Sequence, residues 1–465
     1  MKKKLLFPGF FIALLILTAI ACSGKKENTP LPSNRDMTEI KKSGEITVLT
    51  LSGSISYFLF KGVEMGYEYE LIRNFAESQN LKLNIRIAEN VNRLTEMLQS
   101  GEGDIVAYNI PLTYEFKEEF IYCGENQIDE QVLVQRNTKG DTLLTDVTEL
   151  IGKEIWALKN TKYYNRLENL NGELGGGIII KEIEKDTVTV EDLISMVSSG
   201  EIAYTLSDHN LAQLNKTYFR NLNINLKVSH PQRSSWVVSK TSPELAKTVD
   251  EWFKTNSKTT RYKSIQKRYF EMSKLPGDGP APLLSAGVIS EYDDIFREYA
   301  KSIDWDWQLL ASIAFQESRF KLNLEAWTGA VGLMGLMPKT AEAHGITAAE
   351  RTLPEPSVKA AVSLIKGLER SFVKVEDKNE KIKFILASYN AGLGQIRDGQ
   401  ALAEKYGKNP YLWEGNVEEC LKWKRLPEYY NDSVCKFGYF RGTETLSYVQ
   451  NVMERWQYYK SKVPN

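Results

Sequence analysis

The chain has 465 residues, room for two to four domains at roughly 100–200 residues each, and is 42% hydrophobic, 26% charged and 11% aromatic. That mixture, without low-complexity tracts, belongs to folded domains and speaks against large-scale disorder. A formal net charge of −1 speaks against a protein that tracks nucleic-acid phosphates, which needs a clear basic excess.

Lys2, Lys3 and Lys4 precede an apolar stretch, residues 5–21, broken early by Pro8 and Gly9. This is a basic n-region and an apolar h-region, shorter than the ~20 residues that span a bilayer comfortably. It ends Ala19-Ile20-Ala21-Cys22 and resembles a lipoprotein signal, although the position three before the cysteine holds Ala19 where Leu is usual. The resemblance implies cleavage before Cys22, lipidation of its thiol and a membrane anchor. Ser23, in place of Asp, points by analogy to the outer membrane, facing the periplasm. The alternative is an ordinary secretory signal, or an uncleaved anchor with Cys22 incidental. Residues 24–36 are polar, carry Pro30 and Pro32, and read as a tether.

From about Glu39 to Phe270, apolar strand-like runs alternate with amphipathic helical ones. Residues 46–49 read as a strand and 67–79 as a helix with Tyr67, Leu71 and Phe75 on one stripe. Strand 83–87, helix 91–100 and strand 104–107 follow, then strand 154–158, helix 160–169, strand 177–180, helix 190–199 and strand 203–206. Such alternation predicts an α/β fold with largely parallel sheets. Gly175-Gly176-Gly177 lacks a following P-loop Lys-Ser/Thr and reads as a turn.

Taken in order, these segments resemble the type 2, family 3 periplasmic solute-binding proteins. The carrying runs are Gly44-Glu45-Ile46-Thr47-Val48-Leu49, Gly66-Tyr67-Glu68-Tyr69-Glu70-Leu71, Gly101-Glu102-Gly103-Asp104, Pro111-Leu112-Thr113 and Thr205-Leu206-Ser207-Asp208. The resemblance implies two lobes over residues 39–273 closing on a small ligand, with the chain crossing near Arg136 and near Ser235. Thr113 and Asp208 fall on the family's ligand positions, Asp208 on the one that takes an α-amino group. The arginine that forks an amino acid's carboxylate is replaced by Phe116. Free amino-acid binding, a muropeptide ligand and a ligand-free regulatory role therefore stay open.

At Leu275-Pro276-Gly277-Asp278-Gly279-Pro280-Ala281-Pro282 a Pro/Gly linker (274–285) intervenes, and residues 286–465 carry helical periodicity. Residues 307–320 read as a helix with Asp304 or Asp306 as cap, and Leu310, Ile313, Ala314 and Glu317 share one face. A carboxyl in line with an apolar stripe has its charged form disfavoured and so suits proton donation. An exposed glutamate at a helix end is the plainer reading of that one residue.

Beyond Glu317-Ser318 come Gly329-Ala330-Val331-Gly332-Leu333-Met334, then Ala387-Ser388-Tyr389-Asn390-Ala391-Gly392, then Glu444-Thr445-Leu446-Ser447-Tyr448-Val449. These four ordered motifs resemble the family 1 lytic transglycosylases, which have a lysozyme-like fold. With the solute-binding half in front, the resemblance narrows to the F-type membrane-bound lytic murein transglycosylases. It implies a lyase acting on peptidoglycan glycan strands, without cofactor, with Glu317 as acid and base. Tyr389 is implied to position that carboxyl and the substrate, and Ser318, Asn390 and Glu444 to line or support the cleft. Gly329 and Gly332 suit close approach of backbone to a sugar, and Met334 an apolar sugar face. Two positions depart from the family, where both normally help hold the N-acetylated sugar: Ala326 replaces Ser, with Thr328 as a substitute hydroxyl, and Gly335 replaces Gln, which implies weaker or altered sugar binding rather than lost chemistry. The competing expectations are a hydrolytic lysozyme on the same fold, or a non-catalytic envelope lipoprotein that binds solute or muropeptide.

Cys420 and Cys435 flank a polar turn in a disulfide-permitting compartment and are a possible pair; two buried thiols are the alternative. Cys123 has no obvious mate. The three histidines, His209, His230 and His344, are scattered, so neither a metal site nor a Ser-His-Asp triad is expected.

Overall fold

The structure is a computed structural model that describes residues 35–159, 161–183, 188–272, 283, 285 and 287–463. The signal, Cys22 and most of the 274–285 linker lie outside the described residues.

The first half forms two lobes, each built on a five-stranded sheet. Its strands are β1 (Glu45–Leu51), β2 (Phe58–Phe60), β3 (Val63–Met65), β4 (Lys82–Ala88), β5 (Ile105–Pro111), β6 (Phe120–Asp129) and β7 (Gln131–Arg136). There follow β8 (Glu154–Leu158), β9 (Ile179–Ile183), β10 (Tyr204–Asp208), β11 (Leu222–Asn223) and β12 (Gln232–Ser239). Lobe 1 has the order β4-β1-β5-β12-β6 and lobe 2 the order β11-β7-β10-β8-β9. The units joined by helical crossovers pair in parallel: β1 with β4 and β5, and β8 with β9 and β10. The sheets are nevertheless mixed, because β12 runs antiparallel to β5 and β6, and β7 antiparallel to β10.

Those antiparallel strands carry the chain between lobes. It leaves lobe 1 at Glu130, between β6 and β7, and returns just before β12 at Gln232. Both crossings thus precede the positions near Arg136 and Ser235 expected from sequence. Residues 120–136 form almost unbroken extended chain, so no Gly/Pro signal marks the switch.

Lobe 1 projects a short hairpin, β2–β3, whose tip is Lys61-Gly62 with both residues at positive φ. The hairpin is not legible as alternation because its strands have only three residues each. Its apolar side does not close on lobe 1 alone. Trp327, from the second half, lies in the same buried cluster as Phe60, Met65, Tyr67 and Tyr269. The indole is 5% exposed, with ring centroids of Phe58, Phe60 and Tyr269 at 6.5, 5.9 and 6.0 Å. Burying a side chain of that size stabilises the contact by about 1.5–3 kcal/mol.

The second half is helical. Its core gathers around Trp307–Ser318, Lys378–Ala391 and Gly442–Lys462, the last packing along both others. Ile313, Ala314, Ile385, Leu386, Val449 and Val452 fill it. Asp306 begins the first of these helices without a side-chain cap bond and instead pairs with Lys460 at 2.9 Å; Asp304 pairs with Lys378. Cys420 is buried, Cys435 half-buried, and both are free thiols, so the sequence-based pairing is not formed here.

Candidate active site

Glu317 occupies the last turn of helix Trp307–Ser318. Leu310, Ile313 and Ala314, which share its face, are fully buried, and its side chain is 10% exposed. Tyr448, on the final helix, donates its hydroxyl to Glu317 Oε1 at 2.9 Å. Lys61 Nζ, from the β2–β3 tip, stands 3.7 Å from the same oxygen. Burial pushes the carboxyl above its ordinary range; the Lys61 charge and the Tyr448 bond pull it back only in part.

Gly335 forms the wall against the other carboxylate oxygen. A methyl there would lie 2.0 Å from Glu317 Oε2, and the residue has φ +59°. The departure that reads in sequence as a lost sugar contact is thus what makes room for the carboxylate. Gly335 and Lys61, both against the carboxylate, also line a groove of about 330 Å³, with Met337, Tyr389 and Gly392 among others.

Ser318 is buried and donates to the carbonyls of Ala314 and Leu333, tying the helix end to the glycine-rich loop. Met334 is fully buried, so it is no platform for a sugar face; Met337, three residues on, lines the groove instead. The Met334 carbonyl accepts the Tyr389 hydroxyl at 2.6 Å, so Tyr389 holds the loop that walls Glu317 rather than bonding the carboxylate. Gly332 faces protein, not an open groove: a methyl there would lie 1.8 Å from the Arg351 carbonyl oxygen. Gly329 turns the chain at φ +84° in open space. Thr328 accepts the Ala330 amide through its hydroxyl, and Ala326 closes the same turn.

Asn390 accepts the Thr445 hydroxyl at 2.7 Å and joins the two helices below the site. Glu444 acts electrostatically on Arg441 and Tyr218, which sets it at the seam with lobe 2. The member of that motif that touches the carboxylate is Tyr448, one turn later, a residue that sequence reasoning passed over. The signal was present: Thr445, Tyr448, Val449 and Val452 form the buried stripe of this helix. Lys61 carried no sequence signal, since it lies more than 250 positions away in the other half.

The two halves also meet elsewhere among the described residues. Lys61 N donates to the Ala391 carbonyl, and Gly392 packs on the Lys61-Gly62 backbone. Glu191 of lobe 2 accepts Ser54 Oγ of lobe 1 at 2.5 Å and the Tyr439 hydroxyl at 3.2 Å, with Arg441 at 3.6 Å. Arg425 pairs with Asp192 at 2.8 Å. Of the two solute-site candidates, Asp208 lines the cleft between the lobes. Thr113 caps helix Tyr114–Glu119 by accepting the Phe116 amide and is not among the cleft residues. Among the described residues, no group of three or more His, Cys, Asp or Glu is arranged to hold a metal.

Residues 54–272 match the family 3 bacterial extracellular solute-binding proteins, and residues 294–412 match the transglycosylase SLT domain. A protein of Desulfosudis oleivorans named membrane-bound lytic murein transglycosylase F is 28% identical over 434 residues, 92% of this chain and 93% of that one. A Pseudomonas putida protein of the same name is 29% identical over 462 residues, 97% of this chain and 89% of that one. A solved structure of substrate-binding domain 2 of Lactococcus lactis GlnP, in an open conformation, is 17% identical. It covers 51% of this chain and 97% of that one, with a TM-score of 0.42.

Proposed function

From the premise that this chain joins a family 3 solute-binding domain to a transglycosylase SLT domain, we infer that it is a peptidoglycan lytic transglycosylase with Glu317 as its acid and base. The observation that carries the assignment of Glu317 is its desolvated carboxyl, hydrogen-bonded by Tyr448 and packed against Gly335, which itself lines the groove. Desolvation raises the carboxyl's pKa and so favours the protonated form that can donate.

Glu317 protonates the oxygen of the β-1,4 bond between N-acetylmuramic acid and N-acetylglucosamine, and the bond to C1 breaks. The oxocarbenium-like centre is assisted by the sugar's own N-acetyl group, one of the exceptions to the two-carboxylate scheme. Glu317, now a base, takes the proton of the C6 hydroxyl as its oxygen attacks C1. A 1,6-anhydromuramyl end results and no water is consumed. One carboxylate suffices, and Tyr448 fixes its orientation through both steps. Mass spectrometry of digested sacculi tests this: wild type releases products lighter by one water than a lysozyme's, and Glu317→Gln releases none. Water-containing products would make the enzyme a hydrolytic lysozyme. Undiminished clearing by Glu317→Gln would remove this residue from the chemistry.

The solute-binding half regulates the enzyme. Supporting this, its hairpin tip lies across the groove with Lys61 beside Glu317, while Glu191 links lobe 1, lobe 2 and the catalytic half in one cluster. Closure of the lobes on a muropeptide or amino-acid-like ligand shifts lobe 2 against lobe 1 and strains these contacts. Attachment to a membrane is supported by near full-length relatives named membrane-bound. The lysine-rich start, the apolar run and Cys22 support a lipid anchor in the outer membrane; no helix among the described residues is long and apolar enough to cross a membrane. Loss of palmitate labelling in Cys22→Ala is the expected result for that anchor.

A further inference from the structure

Away from Glu317, the cleft between the lobes is a cavity of about 440 Å³. A free α-amino acid carries both a carboxylate and an ammonium, and a desolvated cleft must answer both charges. Inside this one, the charges left unpaired answer the ammonium.

Its cations are Lys162, Arg233 and Arg425. Lys162 is bound to Asp208 at 2.5 Å, and Arg425 to Asp192. Arg233 stands exposed on the rim. Among the acids, Asp208 holds Lys162 and the Tyr163 hydroxyl, and Glu130 holds Lys227 at 2.6 Å. Glu68 is different. It is buried, accepts only neutral donors, Trp236 Nε1 at 2.6 Å and Asn109 Nδ2 at 2.7 Å, and has no ion pair among the described residues. Asp129 likewise has no ion pair among them. Gln131 is 7% exposed, and its Oε1 accepts no hydrogen bond among the described residues. Apart from Arg233 on the rim, the charged lining groups without an ion pair among the described residues are therefore acids, Glu68 and Asp129. Burial, with Glu125 nearby, lifts Glu68 to about 8, which fits an acid waiting for a cation.

We propose that the interlobe cleft binds a primary alkylamine, its ammonium set against Glu68, Asp129 and Gln131, and needs no carboxylate on the ligand. An ammonium supplies the donors that Gln131 Oε1 lacks and the charge that Glu68 and Asp129 lack. This deepens the ligand-sensing role proposed above and is tested without turnover, so its failure leaves the assignment of Glu317 untouched.

The test is calorimetry on the full chain with 1,5-diaminopentane, lysinamide, lysine and glutarate. Diaminopentane and lysinamide should bind at least as tightly as lysine, or within about tenfold of it, and glutarate should not bind at concentrations up to about 10 mM. Glu68→Gln and Asp129→Asn, each checked for an unchanged melting temperature, should weaken diaminopentane at least about tenfold. Lysine binding that is lost on amidation would overturn the proposal, because the carboxylate would then be the anchor. So would failure of all three amines to bind, or wild-type affinity in both variants.

Discussion

Replacing Lys61 by Met keeps the length of the side chain and removes its charge. In the structure that charge lies 3.7 Å from Glu317 Oε1, with the two side chains 11% and 10% exposed. At an effective dielectric constant of about 20, a pair at this distance interacts by about 4 kcal/mol. Removing the charge takes away part of what holds the carboxyl down, so the Glu317 pKa rises in Lys61→Met. The sign follows from the mechanism. Catalysis starts from protonated Glu317, so kcat/KM falls as pH rises through this pKa, and Lys61→Met moves that alkaline limb upward. The assay is the pH dependence of muropeptide release from purified sacculi, with Lys61→Arg as the charge-keeping control. An alkaline limb that stays within half a unit (about 0.7 kcal/mol) of wild type in Lys61→Met would refute the electrostatic coupling of hairpin and acid.

Gly335→Ala places a methyl where Glu317 Oε2 lies, so turnover should fall at least about tenfold, with a smaller change in melting temperature; wild-type turnover would show that the loop yields freely. Tyr448→Phe removes a donor to the carboxylate. Bonds of that kind contribute about 1.5–3 kcal/mol, so kcat should drop about tenfold to a hundredfold and the alkaline limb should move up, both read in the same sacculus assay. Trp327→Ala empties an aromatic pocket in lobe 1 and should cost about 3–5 kcal/mol of stability, measured by denaturant unfolding.

The parts legible in the sequence are those set by local periodicity. Helix Val190–Ser199 and strand Glu154–Leu158 coincide with their sequence bounds because Thr189 caps the first and Gly200 stops it, and the second alternates cleanly. The stripe ending in Glu317 was visible for the same reason. What was missed depends on contacts between distant segments. Met334 reads as a sugar platform until the fold buries it, and Gly335 reads as a weakened sugar contact until Glu317 is seen against it. Lys61 is an ordinary turn lysine until the hairpin is laid on Ala391.

The indole of Trp327, seated among aromatics of lobe 1, makes the two halves one thermodynamic body rather than beads on a string. Cleaving the polypeptide between them should leave the fragments co-migrating on gel filtration, and heat should melt them together. Regulation in such a body is carried by a shared interior, so point changes at its seam will separate control from catalysis more cleanly than amputating either half.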